Sequence, residues 1–285
     1  MLVVGAQGML GGDVVRLGLE RGWDVLGLDL PEVDITDLES CRQAVAGHEA
    51  VVNCAAWTAV DAAEESEGQA FMVNAVGPAH LARACAGAGA RLVQISTDYV
   101  FPGKLGPPYA EDDPVGPRSA YGRTKAAGEW AVRAHLPDNH YLVRTAWLYG
   151  RDGPSFVHTM RRLALQDAEP VRVVDDQHGQ PTWTADVADR LLALLEKEAP
   201  AGTYHATSSG EATWFDLARE VFSLQGADPE RVRPVPTSEY PRPAPRPAWS
   251  VLGREAWARV GLDPIGDWRT RLTQFVRDRF GEDQR

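Results

Sequence analysis

The sequence is poor in lysine and carries an excess of negative charge. Only three of its 29 basic residues are lysines (Lys104, Lys125 and Lys197), and 40 acidic residues bring the formal net charge to −11. Because nucleic-acid binding needs a basic face that neutralises phosphates, this charge argues against a broad nucleic-acid surface. It does not exclude a small anionic ligand held by a few arginines and a helix N-terminus.

Long apolar segments and cysteine patterns are also missing. No apolar run approaches the roughly 18–20 residues that a membrane helix needs, and Met1 leads straight into LVVGAQG without a basic stretch. The three cysteines, Cys41, Cys54 and Cys85, are odd in number and widely spaced, which argues against a disulfide framework or a zinc site. We therefore expect a soluble cytoplasmic protein with buried free thiols, no membrane partner and no nucleic-acid partner.

The first half of the chain alternates short apolar runs with amphipathic patterns. Helices are predicted near residues 10–21, 37–46, 64–87 and 119–136, and buried strands at 2–4, 24–29, 50–56, 91–97 and 141–149. Continuous apolar strands separated by amphipathic helices are typical of a parallel sheet covered on both faces. The sequence therefore predicts an α/β fold with a Rossmann-type doubly wound parallel sheet.

After about residue 150 this alternation changes. The pattern predicts strands at 171–175 and 203–207, with helices near 155–166, 184–198 (Thr184 as N-cap), 213–225, 253–260 and 266–280. A Pro- and Arg-rich stretch at 227–250 is interpreted as an ordered, extended loop against a cleft. We expect a dinucleotide-binding domain at 1–150 and mainly a smaller C-terminal substrate-binding lobe at 151–285, with segments around 180–207 returning to the first domain.

The stretch GAQGMLGG joins the first predicted strand to the first helix. Gly5 allows a tight turn, Gly8 a close approach to a pyrophosphate, and Gly11 close packing of the helix on the strand. Asp29 ends the second strand, where a carboxylate can accept hydrogen bonds from the adenosine ribose. The predicted cofactor is NADH or NADPH, with NADH weakly favoured because no arginine follows Asp29. Gln7, Met9 and Leu10 are also assigned to the cofactor. Asp34 and Ile35 are placed where they could contact an adenine edge, with loop capping as the alternative for Asp34.

The stretch YGRTK places a tyrosine and a lysine on one face of a predicted helix. Tyr121 and Lys125 are four residues apart, and Thr97 stands at the end of a predicted strand. A hydroxyl at a strand end with such a Tyr–Lys pair is typical of carbonyl reduction. Thr97 would hydrogen-bond the substrate oxygen and Tyr121 would donate a proton to it. Lys125 would hold the nicotinamide ribose and lower the pKa of Tyr121.

Together these pieces resemble the extended short-chain dehydrogenase/reductase superfamily, and in detail its dTDP-4-dehydrorhamnose reductase family. The resemblance covers nearly the whole chain and is carried by GAQGMLG, VVNCAAWTAVDAAE, VNAVGPAHLA, ISTDYVFPG, PYAEDDPVGPRSAYGRTKAAGE, VRTAWLYG, DDQHGQPTWTADVA, TYHAT, ATWFDLARE and RPAWSVL. It implies hydride transfer from NAD(P)H to C4 of a dTDP-keto sugar. Met9 stands where the family usually has glutamine.

The resemblance also implies residue roles, with Thr97, Tyr121 and Lys125 as the catalytic set. It assigns Asn53, Ala55 and Ala56 to the cofactor site and Asp98, Tyr99, Trp147, Gln180 and Arg246 to the substrate site, Arg246 as a pyrophosphate partner. Trp147 is alternatively a core residue and Arg246 a solvated one. A homodimer is compatible with the resemblance. Some family members bind magnesium at a dimer contact, but the sequence indicates no position for it here.

Three other functions are weighed against this one. A 4,6-dehydratase has Asp-Glu directly after the threonine, whereas Thr97 is followed by Asp98 and Tyr99, so the elimination base is missing. The sequence argues less sharply against an epimerase. A regulatory protein such as the β subunit of methionine adenosyltransferase resembles the same family and binds a dinucleotide without performing the chemistry. Sequence motifs alone do not separate this alternative from a reductase.

Overall fold

The computed structural model describes residues 1–166 and 169–281. Its strands within these ranges are β1 (Leu2–Val4), β2 (Leu26–Leu28), β3 (Ala50–Asn53), β4 (Arg91–Thr97), β5 (His140–Thr145), β6 (Leu148–Tyr149), β7 (Val171–Val174), β8 (His178–Gly179), β9 (Thr182–Trp183), β10 (Gly202–His205), β11 (Ala212–Thr213) and β12 (Val232–Val235).

The α-helices of the described residues are α1 (Met9–Glu20), α2 (Leu38–Val45), α3 (Val60–Glu65), α4 (Glu67–Phe71), α5 (Gly77–Ala88), α6 (Ala120–His135), α7 (Phe156–Ala164), α8 (Thr184–Glu196), α9 (Trp214–Leu224), α10 (Glu255–Arg259) and α11 (Trp268–Phe280). A π-helix covers Met72–Val76, and short 3₁₀ helices cover Asp98–Val100, Pro229–Arg231 and Thr237–Glu239.

Six parallel strands form the central sheet, in the order β10-β5-β4-β3-β1-β2. Helices α1, α8 and α10 cover one face around buried aliphatic side chains, and α2, α5 and α6 cover the other. This arrangement confirms the predicted doubly wound α/β fold. The direction of strand addition reverses between β1 and β3, and ligands of such sheets bind outside the carboxyl ends of the strands at that point.

A separate apolar core holds together much of the second half of the chain. Helices α7, α9 and α11 pack around it with β7 and β12, which pair in parallel. β10 instead joins the main sheet beside β5, and α8 packs on α1. The domain bounds 1–150 and 151–285 stay a prediction, and residues 167–168 and 282–285 of the second range lie outside the described residues.

The helix predicted over 64–87 is wrong as a single element. It divides at Ser66 and again into the π-helix before α5. Pro78 has no N–H to donate to the carbonyl of Asn74, and a Cβ on Gly128 would lie 2.2 Å from that same carbonyl oxygen. Buried Asn74 also hydrogen-bonds the backbone of Trp57, accepting from its N–H (2.9 Å) and donating to its carbonyl oxygen (3.1 Å). Asn74 therefore fixes the backbone.

Two further predictions about local structure are corrected. The strand predicted over 141–149 breaks into β5 and β6, because Trp147 adopts φ +47°. Thr184 is not the N-cap of α8: the cap is Trp183, and Thr184 is the first helical residue. The Thr184 hydroxyl donates instead to Asp13 of α1 at 2.6 Å, which ties the two helices together.

The Pro- and Arg-rich stretch is ordered, and it contains one strand that was not predicted, β12. The other predicted elements are present with ends shifted by a few residues. The three cysteines are free thiols: Cys41 and Cys85 are buried, whereas Cys54 is only half-buried. None of the helices in the described ranges is both long and apolar enough to cross a membrane.

Candidate active site

The glycine-rich turn after β1 makes a cradle of bare backbone. Gly5 has φ +77°, and a Cβ there would lie 2.6 Å from the amide nitrogen of Ala55. A Cβ on Gly11 would lie 2.1 Å from the carbonyl oxygen of Gly5, so only glycine lets α1 pack this closely on the turn. Gly8 is the N-cap of α1 and supplies no side-chain cap. The first amides of α1 are thus available for a pyrophosphate, as the spacing predicts.

Asp29 lies beside this cradle. Its carboxylate accepts hydrogen bonds from the backbone N–H of Gln7 (3.1 Å) and of Leu30 (3.0 Å). The carboxylate is half-buried at the end of β2 and retains lone pairs for a ribose hydroxyl. Cradle, helix terminus and carboxylate together fit the adenosine half of a nicotinamide dinucleotide.

The other residues assigned to the cofactor divide between backbone and core. Asp34 accepts from the N–H (2.9 Å) and hydroxyl (2.7 Å) of Thr36, which is the loop-capping alternative, and the Ile35 side chain is buried. Leu10 packs into the main core, and Met9 is half-buried near Gly150. Their contact with a cofactor stays a prediction.

The end of β3 meets the glycine turn directly. Asn53 is buried; its amide donates to Gln94 at 2.8 Å and its side-chain oxygen accepts from the N–H of Ala55 at 3.1 Å. These bonds fix the turn that brings half-buried Ala55 beside Gly5, and half-buried Ala56 follows in the chain. Asn53 therefore shapes this edge of the sheet through one contact with the backbone and one with the Gln94 side chain.

The catalytic candidates are brought together by a close approach of α6 to the end of β4. Ser119 caps α6 by accepting from the N–H of Gly122 at 3.1 Å. A Cβ on Gly122 would lie 2.3 Å from the carbonyl oxygen of Tyr99, so the glycine permits contact with the segment that follows Thr97. Thr97 donates to Asp98 Oδ1 at 2.8 Å and accepts from the N–H of Tyr99 at 3.2 Å.

Tyr121 lies in this buried region with its ring edge-on to Tyr99, at 5.5 Å between centroids. Burial raises the pKa of Tyr121 to about 12; a hydrogen bond with the Thr97 hydroxyl opposes the rise and the charge of Asp98 adds to it. The expected lowering of this pKa by Lys125 is not found. At neutral pH the phenol is protonated, which is the state that a proton donor needs.

Lys125 points its ammonium to the backbone of β4. Nζ donates to the carbonyl oxygen of Ile95 at 2.7 Å, and the side chain is 4% exposed. Burial lowers the pKa of Lys125 to about 8, while Glu129 and Cys54 act in the opposite direction. Lys125 thus lies beside the sheet edge where β3 and β4 end, with its charge held next to Cys54.

Asp98 is a buried carboxylate directly behind Thr97. Burial raises its pKa to about 6, and hydrogen bonds from Ser250 and Thr97 oppose the rise. The Ser250 hydroxyl has one proton, and Asp98 and the carbonyl oxygen of His178, at 3.3 Å, compete for it. Burial likewise raises the pKa of Tyr99. Asp98 and Tyr99 therefore belong to the same cluster as Thr97 and Tyr121.

Trp147 reaches the same edge from β5. It stands two residues after Thr145, whose register partner on β4 is Thr97. A left-handed conformation costs a non-glycine residue on the order of 1–2 kcal/mol, so contacts around Trp147 must hold it. Its ring stacks on Trp214, with 3.7 Å between centroids and 7° between planes. Sequence reasoning missed Trp214, because nothing in the sequence relates two residues so far apart.

Gln180 and Arg246 are both engaged with protein groups. Buried Gln180 pairs through its amide with the backbone of Leu252, accepting at 2.9 Å and donating at 3.2 Å. Arg246 forms an ion pair with Asp61 at 2.8 Å, a partner that sequence reasoning also missed. Arg246 and Tyr99 line a small cavity of about 120 Å³.

The chain matches the RmlD substrate binding domain family over residues 1–280. It belongs to that family. It is 56% identical over 279 residues to the dTDP-4-dehydrorhamnose reductase of Streptomyces griseus, covering 96% of this chain and 91% of the relative. It is 51% identical to the dTDP-4-keto-6-deoxy-D-glucose reductase of Streptomyces niveus, covering 96% and 95%.

A solved structure extends the likeness to three dimensions. The dTDP-4-dehydrorhamnose reductase of Bacillus anthracis, crystallised in complex with NADP, superposes with a TM-score of 0.93 at 34% identity and covers 97% of this chain and 98% of its own. This RmlD-family chain therefore has the fold and the glycine cradle expected of a nicotinamide dinucleotide enzyme. No group of three or more His, Cys, Asp or Glu side chains among residues 1–166 and 169–281 is arranged to hold a metal ion, and magnesium stays unplaced.

Proposed function

We propose that this protein reduces the C4 keto group of dTDP-4-dehydro-L-rhamnose, with a nicotinamide dinucleotide as reductant, to give dTDP-L-rhamnose. The observation that carries the proposal is the convergence of Thr97, Tyr121 and Lys125 at the sheet edge beside the Gly5 cradle. The family and the two named reductases favour the same chemistry.

Each catalytic side chain has one task in this mechanism. The bound dinucleotide supplies a hydride to C4. As the C4–H bond forms, the carbonyl electron pair moves onto oxygen, which takes the proton of the Tyr121 hydroxyl. The Thr97 hydroxyl turns its proton from Asp98 to that oxygen and orients it, and the Lys125 ammonium supports the ribose. The products are the C4 alcohol, the oxidised dinucleotide and a tyrosinate that regains its proton from water.

The substrate side is assigned to Asp98, Tyr99, Trp147, Gln180 and Arg246. Arg246 is the proposed pyrophosphate partner, since a guanidinium binds phosphate oxygens in a bidentate manner. To do so it shares or leaves its ion pair with Asp61. Gln180 acts through the Leu252 segment that its amide holds.

The decisive assay is oxidation of the reduced dinucleotide by the purified protein with dTDP-4-dehydro-L-rhamnose, followed by product identification. dTDP-L-rhamnose as product supports the proposal. dTDP-4-keto-6-deoxy-D-glucose is assayed in parallel, because the Streptomyces niveus relative is named for that sugar. Dinucleotide binding with no turnover of either sugar contradicts the proposed substrate and favours the regulatory alternative or a different nucleotide sugar.

For the cofactor we propose that NADH works at least as well as NADPH. The Asp29 carboxylate sits at the ribose position with no arginine after it, so a 2′-phosphate meets a like charge. Asp29→Ser should shift the ratio of kcat/KM towards NADPH, and exposed Asp24→Ser at the other end of the β2 segment is the matched control. A large NADPH preference in the unaltered protein contradicts this assignment. The homodimer and the cytoplasmic location also stay predictions, the first checked by sedimentation.

A further inference from the structure

Trp147 occupies an unusual backbone position at the edge of the proposed sugar pocket. Among the non-glycine residues that the structure describes, Trp147 and Glu198 are the two with a positive φ. Trp147 immediately follows Ala146 in the break between β5 and β6, close to the Thr97–Thr145 pair. Its carbonyl oxygen accepts from the N–H of Thr182 at 3.2 Å. The backbone alone does not fix the indole ring, so its neighbours must.

Trp214 provides one flat contact for that ring. The two indoles are nearly parallel with 3.7 Å between their centroids, and the Phe156 ring packs on Trp214 with 4.7 Å between centroids. Trp214 is the first residue of α9 and follows Thr213, whose side chain forms a capping box with Asp216. Because the cap holds the start of α9 in place, Trp214 is a fixed surface.

Gly179 provides the second constraint. A Cβ at this position would lie 2.4 Å from Cε2 of Trp147 and 2.6 Å from Nε1. Gly179 is paired with Ala212 in the short β8–β11 ladder, just before Trp214. The glycine and the stacking tryptophan are therefore parts of one unit, and both contact the indole of Trp147.

The stack lies at the margin of the apolar core of the second half of the chain, and part of it stays accessible. Trp257 and Trp268 are fully buried in the cores, whereas Trp147 and Trp214 pack against the core of the second half and remain half-buried. A stacked pair with accessible surface at a ligand cleft is a rigid apolar wall, because each ring restricts the other. Apolar ring faces of this kind pack against the C–H face of a sugar.

We propose that Trp214 and Gly179 are positioning residues that hold Trp147 as the wall of the sugar pocket. They set the affinity for the nucleotide sugar and leave dinucleotide binding unchanged. The identity of the sugar rests on the proposed function. The position of the Trp147 indole does not depend on that function and is measured separately.

The test compares Trp214→Ala, Trp214→Phe and Gly179→Ala with the unaltered protein. We expect Trp214→Ala and Gly179→Ala to raise KM for dTDP-4-dehydro-L-rhamnose by about tenfold or more, with kcat within about threefold. The Kd of the reduced dinucleotide should stay within about twofold. Trp214→Phe keeps an aromatic face and should restore most of the affinity.

A spectroscopic signal reports the stack without any substrate. Two parallel indoles in contact give an exciton couplet in circular dichroism, which should disappear in Trp214→Ala and Trp147→Ala and weaken in Gly179→Ala. Trp130→Ala is the matched control, since Trp130 is 58% exposed on α6 and lies in no ring stack that the structure records. Gly87→Ala is the control for the glycine, because a Cβ there meets nothing within 4 Å.

The outcomes separate the two proposals. If Trp214→Ala loses the couplet but keeps KM, Trp214 does not position the wall and the inference is overturned. Equal losses of dinucleotide binding and sugar affinity indicate a general structural role and overturn it as well. If the unaltered protein reduces neither sugar, the proposed function fails. In that case Gly179→Ala still decides the positioning of Trp147: an unchanged couplet refutes it and a weakened couplet supports it.

Discussion

Replacing Lys125 by methionine should remove activity and make the protein more stable. Lys125 is buried with its ammonium against the carbonyl oxygen of Ile95, and its pKa is lowered from 10.5 to about 8. Below pH 8 the lysine is protonated in both the folded and the unfolded chain. The folded protein therefore carries the full cost of burying the charge at neutral pH.

The magnitude follows from the displacement of the pKa. At ~1.4 kcal/mol per pH unit, the difference between 10.5 and about 8 corresponds to about 3 kcal/mol. Methionine has a similar shape and loses one hydrogen bond, worth about 1 kcal/mol. The Ile95 carbonyl keeps another donor, the Gln94 side chain at 2.9 Å. The expected gain in the free energy of unfolding is about 2 kcal/mol at pH 7.

The pH dependence of this gain has a definite sign. Because the folded pKa is below the unfolded one, the unfolded chain binds more protons between pH 8 and 10.5, and the unaltered protein becomes more stable as pH rises through that window. Methionine does not titrate. The stability difference between Lys125→Met and the unaltered protein should be largest below pH 8 and shrink towards pH 10.5.

Urea unfolding at pH 7 and pH 10, together with the reductase assay, measures both effects. Turnover should fall by at least about 10²-fold, because loss of the group that holds the nicotinamide ribose misplaces the reacting atoms. Lys104→Met, at an exposed lysine, is the matched control and should change stability by no more than about 0.5 kcal/mol. A Lys125→Met protein less stable than the unaltered protein at pH 7 would refute the argument from buried charge.

Three further predictions concern the same region. Tyr121→Phe should lower kcat by at least about 10²-fold while the Kd of the dinucleotide is unchanged, measured by fluorescence titration; near-normal turnover removes the phenol from the mechanism. Because the pKa of Asp98 is raised to about 6 and its carboxylate accepts from Thr97, kcat/KM should decline as pH falls through about 6, and Asp98→Asn should abolish this limb of the pH profile. If the limb persists in Asp98→Asn, another group titrates there. Arg144→Met removes the guanidinium that donates to buried Glu129 through two nitrogens at 2.8 Å, and leaves this carboxylate only the longer ion pair with Arg133 at 3.5 Å. Urea unfolding should show a loss of about 3–5 kcal/mol, and a loss below about 1 kcal/mol contradicts this.

The parts of the site that lie close together in sequence were predictable from it. The spacing of Gly5, Gly8 and Gly11 indicates a strand, a tight turn and a helix in succession, because each glycine answers a local backbone requirement. Tyr121 and Lys125 share a helix face by the geometry of the helix itself. The alternation of apolar and amphipathic segments likewise indicates the parallel sheet.

Contacts between distant residues, by contrast, were decided by the tertiary structure. The stack of Trp147 on Trp214, the ion pair of Arg246 with Asp61, and the π-helix backed by Gly128 all join segments that the sequence leaves unrelated. The pKa of Lys125 was also decided by the tertiary structure. The sequence predicts a lysine beside the tyrosine, but the direction in which its pKa shifts depends on how deeply β4 and α6 bury the ammonium. Local backbone preferences act within a few residues, whereas burial and side-chain pairing arise only when the sheet and its helices have assembled.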